Sequence, residues 1–344
     1  MNVQYTPLLG ESSGLGSEYQ AYLHKSFLLA ILTNRRMVFL KNDKKWEYDC
    51  AEKSGWGCYL TFGNCPDSIA SAGQIVLSDT IPAIQNPENP ISSVLDRQFL
   101  ELYPTTTSTF NEKFTVLYKA LQKLGKVDKE AVCDITQMSF SNISAITTKH
   151  LFVYNNETKA AILALNKKNY KTLFSDSNPS RRIGQYPGNY VSLQIRTQDK
   201  RYEMTHQQWA LMTDVGYIAN FTSQHMHDHQ HLFVATDNCS MVPVLRKLMS
   251  KTITIHSSCD LPENTLYVRG NQDPSMGLAL LAEVEMLRHG QEFVGLFESN
   301  LVRMIFLLRY PQNTHSHALA AEGSSDPSRQ NMNSHLNDIN YYNA

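Results

Sequence analysis

Three short polar segments have side chains suited to chemistry, and each follows an apolar run that reads as a strand. They are Arg196-Thr197-Gln198-Asp199-Lys200, Thr236-Asp237-Asn238 and Glu298-Ser299-Asn300. The third opens a stretch with helical spacing. A helix that starts directly after a strand offers free N–H groups and a positive dipole end, which suits a phosphate. A fourth cluster, His225-Met226-His227-Asp228-His229-Gln230-His231, alternates histidines. Two imidazoles at i and i+2 could take zinc on a strand or loop. This cluster lies between a helix and the next strand, at the end of the sheet opposite the polar segments. A solvated connection is expected there.

The second half of the chain has a regular rhythm that would position these segments. Val191, Leu193 and Ile195 alternate as a strand. Trp209, Met212, Val215 and Ile218 mark a helix. Leu232 to Ala235 reads as a buried strand, Val242, Leu245 and Leu248 as a helix, and Ile253 to Ile255 as a strand. Leu278 to Arg288 is a helix stopped by Gly290. Phe293 to Phe297 is a strand, and Leu301 to Leu308 a helix. Strands alternating with helices predict an α/β fold with a doubly wound parallel sheet. Ligands of such sheets sit at the carboxyl ends of the strands, where the three polar segments fall.

The first half also reads as mixed α/β. Gly14-Leu15-Gly16-Ser17 follows the apolar stretch Val3 to Leu9. Helical spacing then runs through Tyr19, Tyr22, Leu23, Phe27, Ala30 and Ile31, and Met37 to Leu40 reads as a strand. Gly63 to Pro90 is rich in turn residues. Phe114, Leu117, Tyr118, Leu121 and Leu124 mark another helix, with Gly125 as its stop. Asp176 to Gly188 holds Pro179, Gly184, Pro187 and Gly188 and reads as a linker. The expected division is 1–180, 181–314, and a polar, disordered tail over 315–344.

A chain of 344 residues fits roughly two domains. Hydrophobic residues make up 42%, which excludes global disorder. The balance of 31 basic to 32 acidic side chains argues against a nucleic-acid or anionic-lipid partner, but leaves room for one small-anion pocket. No apolar run reaches the ~20 residues of a membrane span. Phe27 to Leu40 is broken by Thr33-Asn34-Arg35-Arg36. The first residues show no secretory signal, so the chain is expected to be either cytoplasmic or a catalytic region without its N-terminal anchor. None of the six cysteines forms a Cys-x-x-Cys pair, so structural zinc is not expected. Cys50, Cys58 and Cys65 would suit a local disulfide, and scattered buried thiols are the other reading. Sequons at Asn142, Asn156, Asn220 and Asn238 fit secretion, although a chain rich in Asn, Ser and Thr forms some by chance.

Three motifs in order resemble a known family. Gln194-Ile195-Arg196-Thr197-Gln198-Asp199-Lys200 resembles the His-Val-Arg-Arg-x-Asp-Lys element of α1,6-fucosyltransferases and the related protein O-fucosyltransferases. Phe233-Val234-Ala235-Thr236-Asp237-Asn238 resembles their Leu-Ala-Thr-Asp-Asp strand end. Phe293-Val294-Gly295-Leu296-Phe297-Glu298-Ser299-Asn300-Leu301-Val302-Arg303 resembles their Phe-Val-Gly-Thr-Phe-Ser-Ser-Asn/Gln-x-x-Arg element. Gly14-Leu15-Gly16 and the aromatic stretch Trp46 to Trp56 add to the likeness, which covers roughly residues 10 to 310.

This resemblance implies a GT-B-like enzyme, with two Rossmann-like domains facing a cleft. It implies an inverting transfer of fucose from GDP-fucose to a glycan or glycoprotein hydroxyl, with no metal and no cofactor beyond the donor substrate. It places the work in the Golgi or secretory lumen. Arg196 matches the family's first arginine and would bind the diphosphate, where a guanidinium can use two N–H groups at once. Ser299 and Asn300 would donate to phosphate, with ordinary N-capping as the other reading. Gly14 and Gly16 would let backbone approach the diphosphate from the first domain. Gln194, Asp237 and Glu283 fall near the nucleoside; a solvated helix face is the other reading for Glu283. Glu203 is the candidate general base, with Lys200 as its electrostatic partner.

The departures are specific. The family's histidine is Gln194, its second arginine is Thr197, and the first serine of its Ser-Ser pair is Glu298. One positive charge fewer at the diphosphate weakens transition-state stabilisation. These changes favour a rival reading, a non-catalytic relative that keeps the fold as a glycan- or nucleotide-binding module. An unrelated cytosolic nucleotide-binding protein is a third reading.

Overall fold

A computed structural model describes residues 2–4, 15, 36–40, 60, 75–78, 145, 148–149, 151–175, 186–197, 206–261, 274–296, 299–309 and 315–319. The chain divides into two compact units at Val153–Tyr154. In the first unit, β1 (Asn2–Gln4), β2 (Arg36–Leu40) and β3 (Ile75–Ser78) form a parallel sheet in that order. The helices expected around Tyr19 and around Leu117 lie outside the described residues.

The second unit holds a five-stranded parallel sheet. Its strands are β4 (Val191–Ile195), β5 (His231–Thr236), β6 (Thr254–Ser257), β7 (Glu292–Leu296) and β8 (Ser316–Leu319). Their spatial order is β6-β5-β4-β7-β8. From β4 the chain winds outward to β6, then returns past β4 to add β7 and β8. The order therefore reverses between β4 and β7, which makes their carboxyl ends the topological switch point.

Every residue of β4 is buried, although only three of the five are apolar. The reason is that helices cover both faces, as parallel sheets require. On one face Val191, Leu193, Ile195, Leu232, Val234, Val294 and Leu296 form a core with Met212 and Ile218. These last two sit on α3 (His206–Thr213) and α4 (Val215–Gln224). Met241, Val242 and Leu245 of α5 (Met241–Leu248) join the same core. The opposite face carries Ser192, whose hydroxyl donates to the Leu287 carbonyl at 2.8 Å. Leu287 lies on α6 (Pro274–His289), so a small hydroxyl pins helix to strand without leaving a buried donor unmade.

The helix expected through Trp209 to Ile218 is two helices. Asp214 separates them, because its Oδ1 accepts from Gly216 N at 2.8 Å and Tyr217 N at 3.1 Å and caps α4. A carboxylate that satisfies two orphan amides makes a good helix start.

Two expected boundaries move. Helices α1 (Asn156–Asn169) and α2 (Lys171–Ser175) belong to the second unit, although they precede the expected division at 180. Asn166 explains this: its Nδ2 donates to the Ala282 carbonyl of α6 at 3.0 Å and to the Tyr186 hydroxyl at 3.1 Å. Second, His315 to Leu319 is not tail. Ser316–Leu319 is the edge strand β8, paired with β7. Its polar residues have buried partners. The Glu292 carboxylate meets His315 Nδ1 at 2.7 Å and His317 Nε2 at 2.8 Å.

Arg309, the last residue of α7 (Asn300–Arg309), locks this edge. Its Nε donates to Ser316 Oγ, Nη1 to the carbonyls of Arg288 and Gly290, and Nη2 to those of Gln291 and His315. A guanidinium has five N–H donors, so all are used, which is what its burial demands. Burial lowers its pKa to about 10, still leaving it cationic at neutral pH.

The histidine cluster is only partly the solvated connection expected of it. His227 and His229 are in a turn, and His227 adopts the left-handed backbone region at φ 41°. His225 is half-buried and stacked on His317 with ring centroids 3.6 Å apart. Burial, and then the neighbouring His317, push its pKa down to about 4. His231 is buried, with Nδ1 3.1 Å from His256 Nε2. Among the described residues, no group of three or more His, Cys, Asp or Glu is arranged to hold a metal ion.

Candidate functional site

The carboxyl end of β4 runs straight into Arg196 and Thr197. Arg196 is half-buried and interacts with neighbouring groups. Thr197 is 1% exposed, and its backbone N–H donates to Asp237 Oδ1 at 2.8 Å. Its hydroxyl lies 3.5 Å from the same oxygen. The clasp joins the turns that follow the two adjacent strands β4 and β5. Asp237 therefore commits one carboxylate oxygen to holding the Arg196 turn. Thr197, which stands where the family has a second arginine, serves as the other half of that clasp.

Between β4 and β7 the register sets Gln194 beside Gly295. Gln194 is 4% exposed, and its Oε1 has no hydrogen-bond partner among the described residues. Ser299 is fully buried, and its Oγ is also without a partner. Yet Ser299 occupies the capping position of α7: its carbonyl accepts from Arg303 N at 3.1 Å. The side-chain cap offered as the other reading of Ser299 is thus not made. A buried polar atom left unmade costs about 1–3 kcal/mol, and these two lie at the carboxyl ends of β4 and β7, where sheets of this topology take ligands. Asn300 is the first residue of the helix.

Gly295 is what lets α7 approach the sheet. A methyl at this position would meet both Val302 methyl carbons at 2.9 Å and Phe293 Cζ at 3.0 Å. Gly295→Ala should therefore destabilise the protein by about 1–3 kcal/mol, the usual cost of overpacking a filled core. Chemical denaturation would show it as a lower midpoint at unchanged slope. An unchanged midpoint would mean that α7 is not seated by this contact.

Glu283 lies apart from the Arg196 clasp, in a recess lined by Asn166, Asn169, Tyr170, Ser258, Leu261 and Ala282. Ser258 begins the short 3-10 turn Ser258–Asp260 that follows β6. The recess thus opens near the carboxyl end of the next strand along. Burial of the Glu283 carboxyl pushes its pKa up to about 7, against a smaller opposing effect from the Ser258 hydroxyl hydrogen bond. Glu283 is thus half-buried on the rim of this recess. The disulfide Cys239–Cys259 lies close in sequence to both sites, two residues after Asp237 and one after Ser258. Neither reading of the cysteines singled out this pair, which is 20 residues apart and carries no spacing signature. Gly14, Gly16, Lys200, Glu203 and Glu298 lie outside the described residues.

No protein-family model matches the sequence, and no curated protein matches it. Solved structures similar to this chain include NodZ α-1,6-fucosyltransferase soaked with GDP-fucose, at 12% identity and TM-score 0.46, covering 86% of this chain and 89% of that one. POFUT1 in complex with GDP is 11% identical with TM-score 0.48, over 91% and 96% of the two chains. A mutant of Arabidopsis thaliana FUT1 in complex with GDP is 13% identical with TM-score 0.46, over 89% and 68%.

Proposed function

We propose that this chain is a GT-B-like fucosyltransferase that moves fucose from GDP-fucose to a glycan or glycoprotein hydroxyl with inversion. The observation that carries the reading is the pair of buried atoms, Gln194 Oε1 and Ser299 Oγ, that have no hydrogen-bond partner among the described residues and lie at the carboxyl ends of β4 and β7. The motif resemblance assigns these same positions to donor binding.

In this reading Arg196 and the amide groups opening α7 hold the diphosphate. Both suit the negative charge that develops as the bond from the sugar to the β-phosphate breaks. Ser299 Oγ donates to a phosphate oxygen, and Gln194 meets the nucleoside. Glu283 accepts from the guanine N1 and N2 hydrogens. Glu203 takes the proton from the acceptor hydroxyl as its oxygen attacks the sugar carbon, and Lys200 steadies the Glu203 charge. No metal enters the proposed step. The Cys239–Cys259 disulfide favours an oxidising compartment such as the Golgi lumen. No described helix is long and apolar enough to cross a membrane.

Glu283 gives the reading a pH signature. Guanine donors need the carboxylate, so GDP affinity should fall about tenfold per pH unit below the Glu283 pKa near 7. Glu283→Gln should lose roughly 10–100-fold in GDP affinity at pH 8, the usual worth of charge-assisted hydrogen bonds. Its stability should move the other way. The folded state holds the Glu283 proton more tightly than the unfolded chain does. Wild-type stability therefore falls as pH rises from the ordinary glutamate range through 7, and Glu283→Gln escapes that loss. GDP titrations and thermal unfolding at pH 5 and 8 check both signs. A variant that binds GDP like wild type at pH 8 would remove Glu283 from the base site.

The direct test of function is an assay of transfer and hydrolysis of GDP-fucose against a glycan panel. Fucosylated product supports the enzyme. GDP binding without transfer or hydrolysis supports the non-catalytic module, which Thr197 favours because it spends the second-arginine position on the Asp237 clasp.

A further inference from the structure

We infer that the Cys239–Cys259 disulfide is a positioning device for nucleotide binding, and that opening it with a dithiol loosens the site. It joins the loop carrying Asp237 to the turn whose Ser258 meets Glu283. The inference rests on the reading of Asp237 and Glu283 as nucleoside-side groups.

The strand ladder explains why such a tie is needed. Strands β5 and β6 pair from His231↔Thr254 to Val234↔Ser257, and the ladder stops there. Beyond it the chains diverge, one into Asp237 and Asn238, the other into Ser258. The disulfide reconnects them just past the split, with its Cα atoms 5.4 Å apart. Asp237 is tied to the turn after β4 through Thr197 N, and Ser258 bonds to Glu283. Other hydrogen bonds of these loops are local. Asn238 N donates to Thr236 Oγ1 at 3.0 Å, Ser240 Oγ to Asn238 Oδ1 at 2.7 Å, and Cys259 N to Ser257 Oγ at 3.2 Å. Arg246 of α5 pairs with Asp260, but both side chains are about two-fifths exposed, at 39% and 42%. Exposed pairs hold little. The covalent bond is the tie that solvent and salt do not weaken.

Cys239 is exposed, so a small dithiol can reach it. The exchange balances simply: the dithiol gives two electrons and two protons, becomes a disulfide, and leaves two cysteine thiols. The strands beneath keep their own core through Leu232, Val234, Leu245 and Ile255. Reduction should therefore loosen the Ser258 turn from the Asp237 loop, which the Thr197 clasp still holds, and leave the sheet intact. Ser258 then moves from Glu283, and water enters the recess. The titratable group shown to interact with Glu283 is Tyr170, the residue that closes α1, and Asp260 of the turn acts on the same tyrosine. Losing the Ser258 hydrogen bond alone would raise the Glu283 pKa, but burial is the larger cause, so hydration should lower it on balance.

The experiment compares the oxidised full chain, the same chain reduced with dithiothreitol, and Cys239→Ser/Cys259→Ser. GDP affinity is measured by calorimetry, and the Glu283 carboxyl is titrated by carbon-13 NMR. Far-UV circular dichroism confirms the fold in each form. If the double variant does not fold, the reduced wild type decides. The expected result is GDP binding about tenfold weaker without the disulfide, as preorganisation is lost, together with a lower Glu283 midpoint. Equal affinity and an equal midpoint would overturn the inference. If no form binds GDP, the nucleotide reading has failed. The Glu283 midpoint then decides alone: a fall on reduction supports positioning by the disulfide, and no change refutes it.

Discussion

Arg196→Ala should abolish the thermal stabilisation that GDP gives the wild-type protein and lower transfer by about 10²–10³, the usual cost of one missing charge-stabilising donor. The size of the effect follows from how the site is built. The fucosyltransferase motif that this segment resembles has two arginines here, and in this chain the second position is Thr197, buried and bound to Asp237. In the proposed site Arg196 is the cation that the β4 turn would supply to the diphosphate. Its turn is held by the Thr197–Asp237 clasp, so the guanidinium is delivered at a fixed place instead of being recruited from solvent. Arg196→Lys should recover only part of the loss, because an ammonium is a point charge without the planar two-donor fork. Thermal unfolding with and without millimolar GDP, beside initial rates from GDP-fucose, would check both statements. A variant with a wild-type GDP shift would take Arg196 out of the diphosphate site.

Glu203→Gln should leave GDP binding unchanged and lower kcat by about 10²–10⁴, the range general bases supply. Glutamine keeps the shape and most hydrogen-bonding capacity of the glutamate, but it cannot take the acceptor proton. The loss should therefore fall on kcat, with the donor KM nearly unmoved. That split separates a base from a binding residue, whose removal raises KM. The family interval from the Asp-Lys pair to its glutamate is about one residue longer than the interval from Lys200 to Glu203. A wild-type rate in Glu203→Gln would send the search for the base to another carboxylate.

The second unit's strands are legible because they are short runs of Val, Leu, Ile and Phe bounded by polar residues. That Arg196, Asp237 and Ser299 sit at strand ends is legible from the strand pattern, and parallel sheets put their ligands there, which makes them candidates. What the sequence hides is pairing between distant residues. Nothing local in Thr197 or Asp237 announces their clasp, 40 positions apart. Cys239 and Cys259 meet only because β5 and β6 are neighbours. Glu283 reads as one more charge on a helix until α1 and the turn after β6 cover it. His315 and His317 read as polar tail because their partner, Glu292, stands on the preceding strand. Asp214 was readable in principle, since Asp followed by an apolar helix is a capping signal, but the apolar spacing ran through it unbroken. Lys200, Glu203, Gly14 and Gly16 stand on sequence resemblance.

One measurement tests the central claim, a guanosine-diphosphate site at the β4/β7 switch point, most directly. GDP is titrated calorimetrically into the oxidised full chain at pH 8, with ADP and UDP as controls. The expected result is a single saturable site that prefers GDP, because Glu283 accepts from donors that adenine and uracil do not present in that pattern. No heat with GDP at millimolar concentration, or equal binding of all three nucleotides, would contradict it.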